Sequence, residues 1–210
     1  MQLPSSTTHL EYDLNIVCGA YAHPFFVHVF LGDIPDDLDY DLPVDHPSWI
    51  AQQYMMPHSP DQLAAAAAAN NNSTAPAAEE SCSPDDVPPQ HPHHHPRLPF
   101  LKHAITATLC LNPHLLSRLQ LSSQTDLVPS TVTPYLAKNL RWRLSSAFPV
   151  RKEIAAKDIP IRLWVVESEV TPLPEGRWGP PKVERRETLW DATEGKDGSL
   201  RRGEMPEGEV

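Results

Sequence analysis

Residues 132–144 read VTPYLAKNLRWRL, and the periodicity changes inside the run. Leu136 and Leu140 stand four apart, the spacing of one helical face. Pro134 suits the first turn of a helix, where its missing N–H removes no bond. From Leu140 the period becomes two: Leu140, Trp142 and Leu144 alternate with Arg141 and Arg143, as in a half-buried strand. A helix of one or two turns running straight into a strand is therefore expected. Leu136, Leu140, Trp142 and Leu144 would face the core, and Arg141 and Arg143 would share the opposite face, available to a partner domain.

Working outward, residues 10–18 alternate Leu10, Tyr12, Leu14 and Ile16 with polar neighbours, a second half-buried strand. Residues 25–31, FFVHVFL, are apolar on both faces apart from His28, so this strand should be central and covered on both sides. A turn over 19–24 joins the two. Residues 33–47 are acidic and contain proline, which reads as a loop; 49–56 offer another strand. A strand over 103–111 should lead into a helix at 113–121, with Asn112 as N-cap and Pro113 as first helical residue. The last strand is expected at 159–170, with Trp178 and Trp190 packed on the sheet. Five or six short strands with two short helices define a mainly β fold, a small antiparallel β-sandwich or distorted barrel. The domain would be discontinuous, built from 10–56 and 101–190. Residues 57–100, with six consecutive alanines and a Ser/Pro/His-rich stretch, read as a long disordered insert. Residues 191–210 read as a disordered tail.

Composition narrows the classes. The chain has 210 residues and 24 prolines against 8 glycines, where average usage gives roughly 10 prolines. A net charge of −10 with no basic stripe argues against nucleic-acid binding. No apolar run approaches the roughly 18 residues of a membrane span, and residues 1–10 lack the apolar core of a signal peptide. A cytoplasmic or otherwise intracellular protein is expected. Cys18, Cys82 and Cys110 are too few and too scattered for a disulfide framework. Cys18 and Cys110, both in expected strands, should be buried as small apolar residues, which suits a reducing compartment.

The candidate chemistry is sparse. His91, His93, His94 and His95 lie in HPHHHP, where Pro92 and Pro96 prevent a helix. With Cys82 they form a weak metal-binding candidate, or simply a polar low-complexity run. His28 on a strand reads as a packed or hydrogen-bonded core residue. Ser145 and Ser146 have no visible His/Asp arrangement, so a serine hydrolase is not supported.

The opening run resembles the "VPYLxxNLxWRV" block of the C-terminal domain of fungal tyrosinases. Three further blocks occur in that family's order: FFVHVFLGD at 25–33, like "FxVHxFLGD"; YMMPHSP at 54–60, like "VFAMPHS"; and HAITATLCLNPHLLSRL at 103–119, like "ITGxVPLTxALL". Together they span about 12–170, with the insert unmatched. The resemblance implies a monophenol monooxygenase system active in melanin formation. The family's copper sits in a catalytic domain, held by six histidines on a helical bundle. No long amphipathic helix here carries a histidine pair, so the chain itself should bind no copper and catalyse nothing. It would be the domain that folds over the dicopper pocket, in cis or in trans, and keeps the enzyme latent. The resemblance implies that an aromatic or other side chain of the domain occupies the substrate position; the plug candidate here is Tyr54, which aligns with the phenylalanine of "VFAMP" and is otherwise an ordinary edge or core tyrosine. Some members load copper through a Cys-x-x-Cys. Here the matching region is Cys82-Ser83-Pro84-Asp85, and the loss of the second thiolate removes the Cu(I) grip. Two alternatives stay open: a freestanding β-sandwich binding module or gene remnant, and a weak metal-binding protein using the His-rich insert.

Overall fold

The switch of period at Leu140 is where a helix becomes a strand. In the computed structural model, which describes residues 7–35, 38, 40, 46–59, 61, 62, 64, 104–148, 151–173 and 178–204, the helix spans Pro129–Asn139 and the strand Leu140–Ser146. The helix is longer than the sequence suggests. It starts at Pro129, and Pro134 lies inside it. Pro134 supplies no donor to the carbonyl of Ser130. Ser130 is exposed, so water can take the donor's place. Val132, Leu136 and Leu140 are fully buried at intervals of four, so packing of that face overrides the interior proline.

Among the described residues eight strands build the domain: β1 (His9–Cys18), β2 (Phe25–Leu31), β3 (Trp49–Met55), β4 (Ile105–Cys110), β5 (Leu140–Ser146), β6 (Glu153–Ile154), β7 (Ile161–Thr171) and β8 (Lys182–Thr188). They form two four-stranded sheets, ordered β4-β1-β7-β8 and β3-β2-β5-β6, with every strand pair antiparallel. Neither sheet closes into a barrel. One core joins their inner faces: Tyr12, Leu14, Ile16, Leu163 and Val165 from the first sheet, and Val27, Val29, Leu140, Trp142 and Leu144 from the second. In register, Leu31, Val29 and Val27 of β2 stand opposite Leu140, Trp142 and Leu144 of β5. As expected, β2 is central and buried on both faces.

Among the described residues three short helices, each described from end to end, accompany the sheets, one more than expected: α1 (Asn112–Leu119), α2 (Pro129–Asn139) and α3 (Trp190–Thr193). Asn112 does not cap α1; Leu111 occupies that position without a side-chain bond. The Asn112 carbonyl accepts from the Tyr12 backbone N–H at 2.8 Å, and its amide donates to the Leu10 carbonyl at 2.7 Å. It thus continues the β4 side of the ladder after β4 has ended, satisfying two β1 groups that would otherwise be stranded.

The end of the chain corrects the expected tail. Residues 191–204 are packed: Ala192 and Thr193 are fully buried and Leu200 nearly so. Leu163 donates to the Gly198 carbonyl at 2.9 Å and Leu200 donates back to Leu163 at 3.0 Å. This segment fills the edge of β7 that β8, pairing only from Val166 onward, leaves open. Gly198 has φ +77°, and a Cβ there would stand 3.2 Å from Ile161 Cγ2, so the close approach demands glycine. Two other expectations are overturned. Trp178 is fully exposed, whereas Trp190 is half-buried. Cys18 is buried, but Cys110 at the end of edge strand β4 is exposed. No described helix is long and apolar enough to cross a membrane.

Candidate functional site

The outer face of the second sheet carries an aromatic group that its strand pattern places there. Residues of one parity in β2 point to the core, so Phe26, His28 and Phe30 point outward. Register sets Tyr54 of edge strand β3 opposite Phe26, and their rings lie 5.1 Å apart at 47°. Tyr54 is 37 % exposed. Beside it Met56 is 62 % exposed. Phe148, 73 % exposed, leaves β5 at the same end, where Ala147 donates to the Pro24 carbonyl at 3.2 Å. The Arg151 guanidinium sits 4.6 Å from the centre of the Phe26 ring, and its Nη1 donates to the Tyr40 carbonyl at 2.8 Å. The result is an exposed apolar patch backed by a cation over an aromatic face.

Beneath this patch the face is closed. His28, Phe30 and Ser145 are fully buried. His28 Nε2 and Ser145 Oγ are hydrogen-bonded at 2.8 Å, and the Tyr40 ring lies 5.3 Å from the imidazole. His28 Nδ1 has no hydrogen-bond partner among the described residues. Burial, reinforced by Arg151, holds His28 down to about 4, so the ring is neutral at physiological pH. The pair resembles part of a nucleophilic triad, and the sequence does not reveal it across a separation of 117 positions. Among the described residues no carboxylate orients the imidazole, and the serine has no access to solvent. It is therefore a packed polar contact, not a hydrolytic centre.

The two outward arginines of β5 part company. Arg143 pairs with Glu153 at 2.8 Å. Arg141 lies half-buried along a cleft of about 420 Å³ that also takes in Trp142 and Lys196. Cys82, His91, His93, His94 and His95 fall outside the described residues. Among the described residues no group of three or more His, Cys, Asp or Glu is placed to hold a metal ion. His28 spends one nitrogen on Ser145, and His9, His46 and His114 lie on separate elements, so the described residues do not fit a copper centre.

These features define an antiparallel β-sandwich with an exposed aromatic patch at one end of one sheet. No family model matches the sequence, and no curated protein matches it. Among solved structures the fold is similar to part of recombinant mushroom tyrosinase (abPPO4), with a TM-score of 0.50 and 11 % identity. The match covers 96 % of this chain and 28 % of that one. A second structure, of latent and active mushroom tyrosinase (abPPO4) in a single crystal, aligns with a TM-score of 0.44, 11 % identity and coverage of 87 % and 25 % respectively. The chain thus spans about a quarter of the length of the tyrosinase structures it resembles.

Tyr54 was reachable from sequence through the YMMPHSP block. Its pairing with Phe26, and the placing of Arg151 over Phe26 and Tyr40 against His28, were not, because these residues come from separate segments brought together by sheet register and packing. The one available signal was that FFVHVFL is apolar on both faces, which requires something to cover the outer one.

Proposed function

We propose that this chain is a lid for a tyrosinase-type catalytic domain, laying Tyr54 and the surrounding apolar patch over a phenol-binding pocket. The copper would belong to that partner, and phenol oxidation and melanin formation would be its chemistry. The observation that carries the reading is the exposed Tyr54 ring, packed at a tilt against Phe26 and close in sequence to the exposed Met56. A soluble domain of this size has no packing reason to present these side chains together. An aromatic ring is the group that fills a phenol-shaped cavity and excludes water from it. The four sequence blocks and the similarity in fold to a quarter of a tyrosinase support the same partner.

The test adds this chain to a fungal tyrosinase catalytic domain freed of its own C-terminal domain. Phenol oxidation should fall in a saturable way. Tyr54→Ala should weaken the inhibition at least about tenfold, as loss of a central aromatic anchor does, while Tyr54→Phe retains it. Full activity with an excess of the folded chain would sink the proposal.

A further inference from the structure

β6 is only two residues long. It pairs with Leu144 and Ser145 and stops, so among the described residues no strand lies beside this edge of β5 from Leu140 to Arg143. The chain then turns away through a 3₁₀ turn at Ala156–Asp158, and the space it leaves is the 420 Å³ cleft. Ile34, Ile154, Ala155 and Ala156 give it apolar walls, with Trp142 behind them. Two cations enter it. The Lys196 Nζ donates to the Leu136 carbonyl at 3.0 Å and to the Ala192 carbonyl, and stands 6.0 Å from the centre of the Trp142 ring. The Arg141 Nη1 donates only to its neighbour's carbonyl, Leu140, at 3.0 Å. Among the described residues neither has a carboxylate partner, whereas Arg143 on the rim is neutralised by Glu153. Burial first, and then the nearby Arg141 guanidinium, push the Lys196 ammonium down to about 8. Two partly desolvated cations thus line one cleft, and among the described residues neither has an ion pair of its own.

We infer that this cleft binds an organic monocarboxylate, its carboxylate bridging Arg141 and Lys196 and its apolar body lying against Ile34, Ile154 and Ala156. A guanidinium with unused donors matches the planar, two-oxygen acceptor. Glu153 and Asp197 also line the cleft, and their charges select against a dianion such as sulfate. The volume suits a small ligand. The site lies in this chain alone and does not depend on the lid role.

Calorimetric titration of the full chain at low salt tests it, with phenylacetate, phenylacetamide and sulfate as probes. Phenylacetate should bind one to one with a dissociation constant below about 1 mM, and the amides of Ala155, Ala156 and Gly195 should shift in NMR spectra. Phenylacetamide and sulfate should bind at least about tenfold more weakly. Arg141→Gln should weaken phenylacetate at least about tenfold, and Arg141→Lys, which keeps the charge but loses the planar fork, should weaken it by less. Arg141 is half-buried on an edge, and an unchanged melting temperature will show that the variants fold. Equal binding of phenylacetamide, undiminished binding by Arg141→Gln, or no saturable binding by about 20 mM would each overturn the site.

Discussion

The outer faces of the two sheets are made differently, although their inner faces share one core. On the first sheet, Glu11, Asp13 and Asn15 of β1 are half-buried, Thr106 and Thr108 of β4 are exposed, and six of the seven residues of β8 are exposed. On the second sheet, Phe30, His28 and Ser145 are buried completely on the outer face. The Tyr40 ring lies against His28 and the Arg151 guanidinium over Phe26. The lesson is that a strand's pattern reports how many of its faces are covered. β1 alternates because water wets its outer side; β2 is apolar on both faces because it has two roofs. The proposed lid surface lies where the second roof ends, at Tyr54 and Phe26.

The contrast can be broken at three depths. Leu140 sits in the core common to both sheets and is fully buried. Leu140→Ala should cost about 2 to 5 kcal/mol, read as a fall in the urea midpoint at unchanged slope. A loss under about 1 kcal/mol would mean that β5 is not central to the core. His28 tests the covered outer face. Its folded value of about 4 lies below the unfolded value near 6.5. The unfolded chain therefore takes up the proton first, so stability is fully present above pH 6.5 and drains away as pH falls towards 4. The loss amounts to roughly 3 kcal/mol. His28→Gln should remove that portion of the acid sensitivity, so identical pH profiles for the two proteins would show that the imidazole is not buried. Thr108 tests the wetted face. Its hydroxyl donates to Asn15 Oδ1 at 2.9 Å in an exposed position, and Thr108→Ala should change stability by no more than about 0.5 kcal/mol.

Much of the fold was legible. The strands at His9–Cys18, Phe25–Leu31 and Leu140–Ser146 declare themselves through alternation, or its absence, within each segment. Other features were misread for specific reasons. Pro134 suggested a helix start, yet burial of Val132, Leu136 and Leu140 carries the helix through it. Asn112 has the chemistry of an N-cap, but the unpaired backbone of β1 engages it instead. Residues 191–204 look like a charged tail, because the apolar residues that anchor them, Ala192 and Leu200, are few and small beside the charged ones. Of the candidate sites, Tyr54 could be named from its block. The pairing of His28 with Ser145, and the meeting of Arg141 with Lys196, could not.

The sequence by itself determined the mainly β class, the central place of β2 and the inward face of β5, since each follows from the period of apolar residues along a short stretch. Only the tertiary structure decided what lies across the sheets: which side chains roof His28, which edge of β7 the chain's end completes, and which cations share a cleft. Those contacts join separate segments of the chain. Sheet register and packing fix them, and no local pattern encodes either.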